Sequence, residues 1–146
     1  MTPTASGCHE RRRRFLEIPV EVCHGAGMSL DPVETNPEHY KVVFENDRVR
    51  VLEYTDRPGD QTTPHQHPDS VMYTLSAFRR RLVSGDIHRQ VEMQAGSVGW
   101  LPAQEHHGEN IGDTPTHVVF VELKEAAPET AWSGRREEGG LGPQSS

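Results

Sequence analysis

Gly59-Asp60-Gln61-Thr62-Thr63-Pro64-His65-Gln66-His67 is the stretch on which the reading of this chain turns. A strand puts residues i and i+2 on one face, about 6.5 Å apart along the backbone. His65 and His67 placed this way can converge on one cation, with nitrogen–metal distances of about 2.1 Å, while Gln66 points away. A third ligand has to come from elsewhere. Gly96-Ser97-Val98-Gly99-Trp100-Leu101-Pro102, followed by Ala103-Gln104-Glu105-His106-His107-Gly108-Glu109-Asn110, offers two adjacent histidines just after a strand.

Around these stretches, short β-type segments alternate with turn signals. Tyr40–Phe44, Val49–Tyr54, Val71–Ser76, Phe78–Val83, Ile87–Met93, Val98–Leu101 and Thr116–Leu123 are expected strands. Asn46-Asp47, Pro58-Gly59-Asp60, Ser84-Gly85-Asp86 and Ala95-Gly96 punctuate them. Turns at this spacing indicate an all-β sandwich or barrel, and no ten-residue stretch carries a helical stripe.

The two histidine-bearing stretches resemble the paired signature motifs of the cupin superfamily. Gly59, His65 and His67 match the opening half of the first motif, and Gly96, Pro102 and Asn110 match the second. The resemblance covers about residues 40–124. It implies an antiparallel jelly-roll β-barrel, the double-stranded β-helix, with one divalent metal ion (Fe, Zn, Ni or Mn). Counting back from Asn110 selects His106 as third ligand, whereas counting forward from Pro102 selects His107; the turn-like Glu109–Pro115 favours His106. The sequence departs from the family at the first motif's glutamate. Ser70 falls in that slot if Tyr73 is the anchor, Val71 or Met72 if His67 is. Asp69 is close but is read as part of the turn. A three-histidine site follows, with coordination positions left open for substrate.

Arg80 shares a strand face with Phe78 and Leu82, where its forked donors could take a substrate carboxylate; the competing reading is a solvated charge run. Ser70 and Met72 are the other candidate substrate contacts. Trp100 reads as core or interface, and His88 and His117, without partners at ligand spacing, as structural. The implied function is a metal-dependent enzyme, oxygenase-like or isomerase- or lyase-like, acting on a small oxygen-bearing molecule such as an enolate, keto acid or diketone. A site of three neutral imidazoles keeps the ion's full charge and favours anionic substrates. The alternatives are a non-catalytic ligand-binding or sensor cupin, and a non-redox isomerase, cyclase or lyase using Zn or another divalent metal.

The chain has 146 residues, a formal charge of −7 and only 33% apolar residues. Asp31 to Glu125 holds 16 acidic and 9 basic residues, so the domain itself is acidic. Phosphate backbones and anionic membranes are therefore disfavoured partners. Cys8 and Cys23 both precede the expected domain, which then needs no disulfide, in keeping with a cytoplasmic location. Arg11–Arg14 is followed by too broken an apolar stretch for export. Residues 1–30 are expected to be a disordered leader, with Met28 an alternative start; 31–125 the cupin domain; and 126–146 a disordered tail. A chain cut to Ser29–Glu125 is then expected to fold alone. A barrel of this size leaves strand edges to cover, and a homodimer is expected.

Overall fold

Alternation of buried and exposed residues sorts the chain into strands that present one face inward. The computed structural model describes residues 29–125 and 140–144. It contains helix α1 (Pro32–Thr35) and strands β1 (Tyr40–Glu45), β2 (Val49–Asp56), β3 (His65–His67), β4 (Ser70–Thr74), β5 (Phe78–Ser84), β6 (Ile87–Met93), β7 (Val98–Leu101), β8 (Gln104–Asn110) and β9 (Thr116–Leu123). Two antiparallel sheets result, ordered β1-β2-β9-β4-β7 and β3-β8-β5-β6. The long-range pairings β2–β9, β4–β9 and β5–β8 give the jelly-roll connectivity. The expected antiparallel jelly roll is present as two facing sheets.

The seven expected strands are all found, with ends shifted by up to two residues. Two strands, β3 and β8, have no apolar alternation to reveal them. Their inward residues are His65, His67, Gln104, His106, Gly108 and Asn110, because at this end the interior is polar. Elsewhere the interior is apolar: Leu52, Met72, Phe78, Leu82, Leu101, Val118 and Phe120 form one cluster between the sheets. Burying each such side chain contributes about 1.5–3 kcal/mol.

The segment before β1 is pinned rather than loose. Asp31 caps α1 by accepting from Val33 N at 2.8 Å, and Pro32 stands in the first turn. Asn36, 1% exposed, clamps the backbone just ahead of β3. Its Oδ1 accepts from Thr63 N at 2.8 Å and its Nδ2 donates to Thr63 O at 3.2 Å, so a side-chain amide replaces a strand partner.

The expected disordered tail is corrected over residues 140–144. Leu141 is 0% exposed and belongs to the core cluster. Gln144 forms a two-way backbone bridge with Trp100, N to O at 2.7 Å and O to N at 2.8 Å. Gly142, at φ +86°, passes where a Cβ would meet Leu82 Cδ1 at 2.9 Å, so glycine is required there. One apolar side chain among Gly, Pro and Gln carries too little periodicity to be read as part of a core. The leader to residue 28 and residues 126–139 lie outside the described residues, as do both cysteines.

Candidate metal centre

β3 and β8 lie side by side, with His65 opposite His106 and His67 opposite Gln104. The period of two turns His65, His67 and His106 inward together, while His107 faces the other way. The choice between adjacent histidines is thereby made: His106 is in the cluster. One ring nitrogen of each lies within 4.8 Å of the others, and the three are buried. Ring centroids stand 4.9 to 5.3 Å apart.

Each imidazole is held from behind at Nδ1. His65 Nδ1 lies 2.7 Å from the carbonyl oxygen of Thr63, an acceptor only, so Nδ1 carries the proton. The Asn36 amide at 3.4 Å is the more distant neighbour and does not compete with it. His67 Nδ1 lies 3.2 Å from Glu122 Oε2. His106 Nδ1 lies 2.8 Å from Gln104 Oε1, whose orientation is fixed because Gln104 Nε2 donates to Pro102 O and Gly142 N donates to the same Oε1 at 2.8 Å. All three Nε2 atoms therefore turn toward one small volume. This is the arrangement in which outer partners orient imidazoles for a metal.

Electrostatics agrees. Burial, and then the neighbouring His67, pushes His65 down to about 3. Burial, with His65 and His67 next, drives His106 well below the ordinary histidine value. Both are neutral at neutral pH, the form that binds a metal. Imidazole nitrogens converging on one point are suited to a cation, and the donor set fits one divalent ion.

Two groups found here lie outside the sequence motifs. Glu122, 2% exposed on β9, also accepts from Arg50 Nε at 3.0 Å, and Arg50 in turn reaches Asp31 at 2.9 Å. A carboxylate thus stands one imidazole away from the cluster, itself paired with Arg50, while the clustered ligand atoms are the three imidazoles. The second group is Tyr40, the one buried residue of β1, whose hydroxyl lies 3.2 Å from both His65 Nε2 and His67 Nε2. Burial raises its phenol above the ordinary tyrosine value. A buried tyrosine reads as core in a sequence; only its partners reveal it.

A mostly apolar cavity opens beside the cluster, lined among others by Tyr40, His65, Met72, Arg80, His106 and Pro143. Its volume is about 50 Å³, room for roughly four waters. Met72 lines it and also belongs to the apolar core. Ser70 does not: it is buried, but its hydroxyl donates to Pro68 O at 2.7 Å. Asp69 is in the turn, where Oδ1 accepts from Ala103 N at 2.8 Å. Arg80 lines the cavity but already has a carboxylate, pairing through Nη1 with Asp56. Tyr54, Asn110 and Thr116 hold the same Asp56 by hydrogen bonds of 2.6 to 3.1 Å. The reading of Arg80 as solvated is corrected, since it is 8% exposed. Gly108 makes room for it: a Cβ there would stand 3.0 Å from Arg80 Nη2. Trp100 is 41% exposed on the outer face, so it is not core. His117 lies outside the cluster, its Nε2 standing 2.7 Å from Glu53.

No protein-family model matches the sequence, and no curated protein matches it. Solved structures do. A cupin domain from Bordetella pertussis Tohama I is 27% identical, with a TM-score of 0.55 over 59% of this chain and 92% of that one. The chain has the cupin fold. Two further cupin-fold resemblances are looser. An uncharacterized conserved protein with a double-stranded β-helix domain from Klebsiella pneumoniae is 24% identical, with a TM-score of 0.49 over 61% of this chain and 78% of that one. The polyketide cyclase RemF from Streptomyces resistomycificus is 22% identical, with a TM-score of 0.47 over 61% and 66%.

Proposed function

We propose that this cupin is a metal-dependent enzyme, working as a homodimer, that acts on a small oxygen-bearing anion of the enolate, keto-acid or diketone class. The observation that carries the reading is the convergence of three buried imidazole nitrogens beside a small cavity. A divalent ion held there supplies a Lewis acid for substrate oxygens. The chain's own residues do the rest. Thr63, Glu122 and Gln104 hold the imidazoles in one tautomer. The apolar cavity wall excludes water. The Arg80–Asp56 pair places a guanidinium at the wall without a free net charge, which orients a polar substrate and discriminates little by charge alone. Non-catalytic ligand binding is the second reading, favoured by the small volume of the cavity.

The metal-free chain titrated with ferrous or zinc ion should bind one equivalent. His65→Ala with His67→Ala should abolish binding, and His106→Ala should weaken it strongly while His107→Ala leaves it intact. The iron-loaded protein should then bind acetylacetonate or oxalate with a change in the metal's spectrum. Unchanged metal content in the double variant refutes the site; anion binding without any turnover of such compounds leaves the second reading in place of the first.

A further inference from the structure

Three imidazoles and one phenol meet at the head of the cavity. The Thr63 carbonyl, the Glu122 carboxylate and the Gln104 amide oxygen hold the rings at Nδ1, which turns every Nε2 toward the others. Tyr40 Oη lies 3.2 Å from two of these atoms, on His65 and His67, and has a single proton to give. The distance itself is informative. With metal–ligand bonds of about 2.1 Å, neighbouring ligands of one ion stand roughly 3.0–3.4 Å apart, from octahedral to tetrahedral angles. Tyr40 Oη stands from both nitrogens as a fellow ligand would.

The rest of the segment holds it there. Tyr40 is 5% exposed, while the other five residues of β1 are exposed. Its ring packs on Tyr54 at 4.7 Å and Phe120 at 6.1 Å. Its backbone N donates to Asn36 O at 3.0 Å, and Asn36 also grips the strand that carries His65. One clamp thus sets the phenol and the first histidine together.

We propose that Tyr40 is the fourth protein ligand of the metal, bound as phenolate, and so occupies the place left by the first motif's missing glutamate. The inference rests on the three-histidine metal reading above. Coordination replaces the O–H bond by an O–metal bond, and the proton passes to solvent. The ion then gains a directly bound negative charge that the histidines do not supply.

Ferric ion added to the metal-free protein is a direct test, because phenolate bound to ferric iron gives a visible charge-transfer absorption with tyrosine modes enhanced in resonance Raman. The chain has three tyrosines, Tyr40, Tyr54 and Tyr73, so assignment is by elimination. One equivalent of iron should produce the band, Tyr40→Phe should remove it, and Tyr73→Phe should keep it. Tyr40→Phe should also weaken zinc binding by at least about tenfold, the smaller end of the loss seen when even an outer partner is removed. Stoichiometric iron without the band, or a band that survives Tyr40→Phe, overturns the assignment of Tyr40 and leaves the three-histidine site standing. Absence of metal binding in the wild type overturns both. Should Tyr40→Phe fail to fold, the wild-type band with Tyr54→Phe and Tyr73→Phe decides the same question.

Discussion

Behind His67 stands the carboxylate of Glu122, at 3.2 Å, with Arg50 on its far side. A carboxylate there fixes the orientation of the imidazole as a ligand. Glu122→Gln keeps an acceptor but removes the charge, so metal affinity should fall by about 10–100-fold with little change in fold, measured by competition with a chelator. His65 and His106 make a second residue-scale prediction, for the metal-free protein. Both are depressed in the folded state, His65 from about 6.5 to about 3. Above pH 6.5 neither state binds these protons and they contribute nothing to the pH dependence. As pH falls from 6.5 toward 3, the unfolded chain takes up protons that the folded chain refuses, so stability declines. The slope approaches about 1.4 kcal/mol per pH unit for each such histidine. Denaturant midpoints at pH 7.5, 6 and 5 should fall in that order, and a flat profile contradicts the burial of neutral imidazoles.

At the scale of elements, the segment 140–144 is the least expected part of the fold and the most consequential. It adds Leu141 to the core and Pro143 to the cavity wall, and Gly142 N donates to the Gln104 oxygen that also holds His106. Arg89 anchors it further by donating to Leu141 O at 2.6 Å. Leu141→Ala should cost about 2–5 kcal/mol, the range for emptying a buried leucine site. A chain ending at Glu125 should be destabilised at least as much and should hold its metal less tightly, since Gln104 loses one of the groups that fix it. Equal melting of the cut and full chains restores the earlier expectation that the tail is dispensable.

For the whole molecule, the five-stranded sheet shows solvent an apolar outer face. Phe44, Val51, Val121, Val71 and Trp100 form one row across all its strands by their pairing, and Phe44, Val71 and Trp100 are 54%, 37% and 41% exposed. Tyr73 and Val98 extend the patch. Soluble monomers rarely expose so contiguous a surface. A second copy is its expected cover, and sedimentation should give a dimer at micromolar concentration that Trp100→Glu splits into folded monomers. A wild-type monomer at that concentration would sink the dimer.

The sequence by itself determined the strand-and-turn rhythm, the seven apolar strands, an all-β sandwich or barrel, and His65 and His67 as a pair. These rest on local periodicity, which a short window contains in full. It also contained both motif glycines, Gly59 and Gly96, which take positive φ of 91° and 80° in their turns. Tertiary structure alone decided what depends on distant segments meeting. His106 is preferred to His107 because β8 pairs with β3 in one register, and a shift of a single residue would reverse it. Arg80 is buried because Asp56, 24 residues away in sequence, meets it in the interior. Tyr40, Glu122 and Leu141 are an aromatic, an acid and an aliphatic residue of ordinary local setting. They acquire their roles because β1, β9 and the tail bring them, from 25 residues or more away in sequence, against the histidines or the core.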